Sequence, residues 1–151
     1  MTGDHYPYGL DKNDIKELSP YDMTDYNMER FHMPFIVYNG NNTNNIVTEK
    51  YASSLDVLPT MLNLFGIDYD SRLLMGRDIF SDSNPLVIFS DRSFITEKGK
   101  YYFEQEQFKT HDGKIQENKD YVDKIKHDIY LKYRYSRLIL EKNYYNMQKN
   151  K

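Results

Sequence analysis

The chain has 151 residues, of which 39% are hydrophobic and 15% aromatic, which is typical of a folded chain and excludes a disordered one. We expect one domain or a piece of one. No run approaches the roughly 20 apolar residues of a membrane-spanning helix, and we expect no signal or anchor in this chain. Without cysteine, disulfides and thiolate metal sites are excluded.

The formal net charge of −3 is unevenly distributed along the chain. Residues 119–151 contain nine Lys or Arg and four Asp or Glu, a net charge of +5, which leaves −8 on residues 1–118. We expect the basic tail to pack on the acidic body with its charges in solvent. The alternative is a tail that binds a polyanion.

The segment SSLDVLPTMLNLFGI, residues 53–67, predicts a short amphipathic helix. Asp56 is the expected N-cap, Pro59 is tolerated in the first turn, and Gly66 is the expected left-handed stop. The β-prone residues 35–38 predict a buried strand against which this helix packs. The apolar stripe expected to face that strand consists of Leu58, Met61, Leu62 and Phe65.

The rest of the chain predicts a helical turn near residues 14–18, then an antiparallel meander and a long helix. The helix is expected from residue 118 to about residue 144, because apolar residues recur there with a period of 3.6. The strand candidates are residues 86–89, 94–95, 100–103 and 107–108. The helix stripe expected to pack on the sheet consists of Val122, Ile125, Ile129, Tyr133, Ser136 and Leu140.

Adjacent Asp4 and His5 lie in the glycine-bounded segment GDHYPYGL. A carboxylate oxygen and a neutral imidazole suit Zn²⁺, Mn²⁺ or a similar cation. By spacing alone, such a pair is more often a turn or a helix cap, since two ligands do not complete a metal site. His32, His111 and His127 are expected to be ordinary packed or surface residues. No nucleophile motif or phosphate-binding glycine loop is present.

Four segments, taken in order, resemble the C-terminal part of the lipoteichoic acid synthase family. They are GDHYPYGL, HMPFIVYN, SSLDVLPTMLNLFGIDYDSRLLMGRDIF and PLVIFSDRSFITEKGKYY. The family consists of sulfatase-like phosphoglycerol transferases of the alkaline phosphatase superfamily. The similarity is close over residues 2–103 and looser over the last helix. The DxxPT element at residues 56–60 is shared by sulfatases in general.

The resemblance implies an α/β fold. It implies a partial alkaline phosphatase-like α/β/α sheet, followed by a small antiparallel sheet and a long C-terminal helix. Residues 1–84 would then be the C-terminal part of a sulfatase-like catalytic domain. Residues 85–151 would form the small antiparallel sheet with the long helix packed on it.

The resemblance also implies an enzyme of the cell membrane with an extracellular catalytic domain. Such an enzyme transfers glycerol phosphate from phosphatidylglycerol to a growing glycerol-phosphate polymer, through a threonine activated by a metal ion, usually Mn²⁺. Asp4 and His5 match metal ligands of the family's GDH motif. The threonine nucleophile and the remaining acidic ligand belong to the missing N-terminal half of the family's domain. We therefore expect this chain alone to be inactive, to bind metal weakly or not at all, and to have no nucleic-acid partner.

Two alternatives stay open. In one, the chain is a non-catalytic segment that holds an anionic wall polymer or a membrane surface with its meander and its basic, tyrosine-rich last helix. The tyrosines of that helix would then form an exposed stripe, whereas the enzyme hypothesis expects Tyr133 to pack with Ile125 and Ile129 on the sheet. In the other, the chain is a fragment of a sulfatase or phosphoethanolamine transferase relative, because the superfamily shares its metal pair.

Overall fold

The computed structural model describes residues 1–3, 8–40 and 45–149. The chain divides into two units, Met1–Val47 and Thr48–Lys151. The helices are α1 (Lys12–Leu18), α2 (Tyr26–Glu29), α3 (Ser54–Leu64), α4 (Lys119–Glu141) and α5 (Tyr144–Lys149), and the strands are β1 (Leu86–Ile88), β2 (Phe94–Thr96), β3 (Gly99–Tyr102) and β4 (Gln107–Lys109).

The first unit contains the two short helices α1 and α2. A capping box begins α1: the Asp11 carboxylate accepts the N–H groups of Asn13 and Asp14, and the Asp14 carboxylate accepts the N–H of Asp11. These reciprocal bonds satisfy amides that have no partner inside the helix. The helix predicted near residues 14–18 is confirmed. Met23 and Met28 are the buried apolar residues in the described part of this unit.

The buried strand predicted at residues 35–38 is wrong. Phe35 forms only an isolated antiparallel bridge with Thr2 among the described residues. A strand that is apolar on both faces is stable between two covering layers, and a single bridge provides neither cover nor a continuous ladder. The three residues that follow are consequently exposed: Ile36 by 50%, Val37 by 47% and Tyr38 by 90%.

The side of α3 that faces the protein interior also differs from the prediction. The buried residues are Asp56, Pro59 and Thr60, whereas Leu58 and Phe65 are 54 and 70% exposed. The polar side is buried because its side chains are hydrogen-bonded to the segment that follows the helix, as detailed below. Gly66 has a φ of +65° after the last turn, so the predicted left-handed stop is confirmed.

The four strands form one antiparallel sheet in the order β1-β2-β3-β4, which confirms the predicted meander. Directly opposed residues on neighbouring strands place a row of apolar side chains across one face. The rings of two of them, Phe94 and Tyr101, stack with their centroids 5.0 Å apart. This row is the sheet side of the core and consists of Ile88, Phe94, Tyr101 and Phe108.

The first half of α4 covers this row. Val122 and Ile129 are buried in one cluster with the aromatic residues of the sheet. The α4 residues that pack against the sheet all lie between Tyr121 and Ile129. The sheet therefore covers only the first half of the helix. For this reason the predicted stripe is wrong beyond Ile129, where Tyr133 and Leu140 are 48 and 78% exposed.

The fold class agrees with the expectation: a mixed α/β chain with a small antiparallel sheet followed by a long C-terminal helix. The division into a catalytic-domain part, residues 1–84, and a part made of sheet and helix, residues 85–151, stays a prediction. In the described part of the chain, none of the helices combines the length and the apolar character needed to cross a bilayer.

Candidate functional site

The predicted metal ligands Asp4 and His5 lie outside the described residues. Two residues before Asp4, Thr2 is held by its bridge to Phe35. Within residues 1–3, 8–40 and 45–149, no three His, Cys, Asp or Glu residues are grouped so that they could hold a metal ion. The metal pair therefore stays a prediction from the sequence.

A buried polar site lies at the start of α3, in the DxxPT element. Ser53, and not Asp56 as predicted, is the N-cap, because Asp56 occupies the third helical position and completes a capping box with Ser53. The Asp56 carboxylate accepts the N–H of Ser53 at 2.8 Å and the N–H of Arg77 at 2.9 Å. Asp56 is only 2% exposed. Its two oxygens each have a partner, as a buried carboxylate requires.

Thr60 extends this site along α3. Its hydroxyl donates to the Asp56 carbonyl at 2.6 Å and accepts the N–H of Ile79 at 3.0 Å. Thr60 is 1% exposed. The hydroxyl thus joins the helix to the segment that follows it in the chain, and its position gives Thr60 a structural role.

Gly76 allows that segment to approach the helix closely. A Cβ on Gly76 would lie 1.9 Å from the Leu55 carbonyl oxygen and 2.7 Å from the Asp56 nitrogen. Because the helix begins before Asp56, Pro59 lies inside it and not in the first turn as predicted. Proline has no N–H to donate to the carbonyl four residues earlier. The Leu55 carbonyl therefore has no helical donor and faces Gly76 instead.

These contacts form one unit, which we name the α3 clasp. It fixes the backbone of residues 76–79 along the first two turns of α3. The motif residues of GRDIF and DxxPT, which lie about 20 positions apart in the sequence, therefore belong to a single hydrogen-bonded arrangement. The clasp consists of Asp56, Thr60, Gly76, Arg77 and Ile79.

The Arg77 side chain extends the same arrangement to the segment before α3. Its guanidinium donates to the carbonyls of Ser83 and Tyr51, at 2.8 and 2.9 Å. Lys50 donates to the Ser81 carbonyl at 2.7 Å. Sequence reasoning missed these contacts, because two carbonyl acceptors distant in sequence produce no pattern around Arg77.

His111 was predicted to be an ordinary turn residue, and the structure gives it specific partners. Its ring is stacked on that of Tyr51, with centroids 4.9 Å apart and planes 8° from parallel. The Nε2 atom lies 2.9 Å from the Thr96 carbonyl oxygen, so Nε2 carries the hydrogen, and Nδ1 accepts from the Tyr51 hydroxyl at 3.2 Å. His111 thus ties strand β2 to the segment before α3.

The second half of α4 presents an exposed aromatic and basic face. Tyr133 was expected to pack with Ile125 and Ile129, and this expectation is wrong because the sheet ends before the helix does. The open groove on this face has a volume of about 520 Å³. It is lined by Tyr130, Tyr133, Arg134, Arg137, Leu138 and Glu141.

The fold is that of a mixed α/β chain, and the DxxPT element at the start of α3 is a structural part of it. Lipoteichoic acid synthases of Staphylococcus aureus strains USA300, NCTC 8325 / PS 47 and MRSA252 are each 32% identical to the chain over 127 residues. The match covers 80% of this chain and 18% of each relative. No protein-family model and no solved structure matches. The chain is thus similar to the lipoteichoic acid synthases, as its sequence motifs predicted, and spans about a fifth of the length of these relatives.

Proposed function

We propose that the chain is the C-terminal portion of a lipoteichoic acid synthase-like, metal-dependent phosphoglycerol transferase. The observation that carries this proposal is the 32% identity over 127 residues to proteins named lipoteichoic acid synthase. The GDH sequence at residues 3–5 adds a metal-ligand pair of the expected type. Since the match covers 18% of each relative, the activity of the whole protein is itself part of the proposal.

In this proposal, Asp4 and His5 contribute a carboxylate oxygen and an imidazole nitrogen to a divalent cation, with Mn²⁺ the expected metal. The cation, when bound, neutralises charge on the phosphoryl group that is transferred. The substrates would be phosphatidylglycerol and the growing glycerol-phosphate polymer, at the outer side of the cell membrane. In this proposal, the α3 clasp serves the fold by fixing the backbone of residues 76–79.

The same proposal explains why the chain alone should not turn over substrate. The threonine nucleophile and the remaining acidic ligand would be supplied by another part of the whole protein. A metal site that lacks some of its ligands binds weakly, because the remaining ligands must be ordered at the expense of the binding free energy. Asp4 and His5 alone should therefore hold Mn²⁺ poorly.

Calorimetric titration of the chain with Mn²⁺ tests this point. We expect binding no tighter than about 1 mM, and still weaker binding for His5→Ala. The matched control is His127→Ala, which removes an exposed histidine of α4 and should leave the weak binding unchanged. A dissociation constant on the order of 1 μM or lower would show a complete site within this chain and would refute the proposed division of ligands.

The DNA upstream of the coding segment provides an independent test of the class. An in-frame continuation that encodes a β-strand, a loop carrying a threonine and several apolar membrane spans is the expected result. An upstream region that encodes none of these in frame would contradict the assignment to a phosphoglycerol transferase.

A further inference from the structure

The second half of α4 exposes side chains that are costly to leave in water. Tyr130, Tyr133 and Tyr135 are 57, 48 and 56% exposed, and Leu140 is 78% exposed. Tyr145 and Met147 of α5 are each 53% exposed. Single exposed apolar residues are ordinary, but a group of them on neighbouring turns indicates a surface with a partner.

Two of these residues, Tyr130 and Tyr133, share one face of α4 with four other residues that line the groove. The residues that line the groove recur at intervals of three and one positions over three turns, so their side chains lie on the same side of α4. The groove is open along one side of the helix, which suits an extended surface better than a small enclosed ligand. We name this face, made of Tyr130, Tyr133, Arg134, Arg137, Leu138 and Glu141, the α4 face.

The balance of cations and acids differs between the half of α4 that packs on the sheet and the half that does not. Residues 119–129, the half that packs on the sheet, carry three cations and three acids, whereas residues 130–142 carry four cations and one acid. Lys132 donates to the Met75 carbonyl at 2.6 Å, and Arg137 pairs with Glu141 at 2.6 Å. Arg134, between the exposed tyrosines, has no ion-pair partner in the part of the chain that the structure describes. Arg134 therefore adds one uncompensated positive charge to the α4 face.

We propose that the α4 face is a docking surface for the phosphate headgroups of an anionic lipid bilayer. Arginines attract the phosphates, tyrosine rings are at their most stable at the boundary between headgroups and acyl chains, and an exposed leucine gains by entering that boundary. A soluble polyanion would use the arginines but would leave the exposed Leu140 in water. The combination of charge and apolar surface on the same turns therefore favours the bilayer.

Binding of a bilayer by the α4 face does not require transferase activity and can be measured without the proposed substrate. The whole chain is sedimented with vesicles of phosphatidylcholine alone and with vesicles that also contain phosphatidylserine, a lipid that is not the proposed substrate. We expect binding to the anionic vesicles and little to the neutral ones. Binding should weaken as salt is raised, because exposed charges are then screened.

Two double variants with equal loss of charge locate the surface. Arg134→Gln with Arg137→Gln should lower the vesicle partition coefficient by about 25-fold, because each cation near an anionic membrane contributes about fivefold. Lys119→Gln with Lys124→Gln, on the other half of the same helix, should change it by less than about twofold. Far-ultraviolet circular dichroism checks that both variants keep their helix content.

The tyrosine variant separates a bilayer from a soluble polyanion. Tyr133→Ser should weaken vesicle binding several-fold and leave any binding of inorganic polyphosphate unchanged. Absence of binding to phosphatidylserine vesicles would refute the proposal, and so would equal losses in the two charge variants. Dimers in sedimentation velocity that disappear in Tyr133→Ser, together with no vesicle binding, would show that a second copy covers the α4 face and would refute the bilayer.

Discussion

Thr60 shows how much a single hydroxyl contributes when it is buried. It accepts the N–H of Ile79 and donates to the Asp56 carbonyl while it is 1% exposed. Removing such a hydroxyl leaves a buried N–H without a partner, which costs more than the hydrogen bond itself contributed. The side chain is thus one of the contacts that hold residues 76–79 on α3.

Thr60→Val should therefore lower the free energy of unfolding by about 1–3 kcal/mol, since valine keeps the shape and loses the hydroxyl. Thr60→Ser keeps the hydroxyl and serves as the control, with a smaller loss from the missing methyl group. Urea unfolding followed by circular dichroism measures both variants. If the valine variant were as stable as the serine variant, the hydrogen bond to Ile79 would not hold the segment.

Asp70 is the residue whose ionisation the structure changes most clearly. Its carboxylate accepts the Arg72 side chain at 2.7 and 2.9 Å and the Arg72 N–H at 3.0 Å, at the start of the 3-10 turn Ser71–Leu73. The side-chain hydrogen bonds from Arg72, followed by that backbone bond, lower the pKa of Asp70 to about 2. The same hydrogen bonds with Asp70 raise the pKa of the Arg72 guanidinium.

The folded pKa of Asp70 is below its unfolded value, so the pair stabilises the fold above the unfolded pKa. That contribution should be lost as the pH falls from about 4 toward about 2. A pH titration followed by the NMR shift of the side-chain carboxyl carbon should give a midpoint near 2. Arg72→Gln should return the pKa of Asp70 toward 3.8. A wild-type midpoint near 4 would show that the pair does not form in solution.

At the scale of the element, α3 shows where periodicity predicts a helix but not its orientation. The spacing of apolar residues and the Gly66 stop predicted the helix correctly. The buried side was wrong, because the rule assumes that apolar residues face inward. In α3 the polar residues Asp56 and Thr60 are buried, and their hydrogen-bond partners lie about 20 residues later. A local pattern holds no information about such partners.

Gly76 is the position in the clasp that leaves no room for a side chain. Gly76→Ala places a Cβ 1.9 Å from the Leu55 carbonyl oxygen, so the backbone of residues 76–79 must move away from α3. We expect a loss of about 1–3 kcal/mol or more in the free energy of unfolding. Gly9→Ala is the control, since a Cβ there meets nothing within 4 Å. Equal stability of the two alanine variants in urea unfolding would contradict the close approach.

At the scale of the whole molecule, the sequence predicted the part built from local contacts. Each strand of the meander pairs with its neighbour in the chain, so short β-prone runs and turn residues were sufficient to predict the sheet. The long run of apolar residues with a period of 3.6 residues was sufficient to predict α4. The strand predicted at residues 35–38 would have needed a covering layer on each face, and the described residues do not provide these layers. The exposure of Tyr133 depended on the size of the sheet, which the pattern on the helix does not contain.

The core between the sheet and α4 should therefore dominate the stability of residues 48–151. Phe94 is 0% exposed, opposes Tyr101 in the sheet and belongs to the cluster that includes Val122 and Ile129. Phe94→Ala should lower the free energy of unfolding by about 3–5 kcal/mol, through lost apolar burial and the cavity left behind.

Leu140→Ala is the control, because it shortens an apolar residue of α4 whose surface is 78% exposed. It should change the free energy of unfolding by no more than about 0.5 kcal/mol. Urea unfolding measures both variants, and amide hydrogen exchange reports where the loss occurs. Phe94→Ala should speed exchange in β2, β3 and the first half of α4 together, because they share one core. If the two variants were equally stable, the cluster around Phe94 would not be what holds the sheet and the helix together.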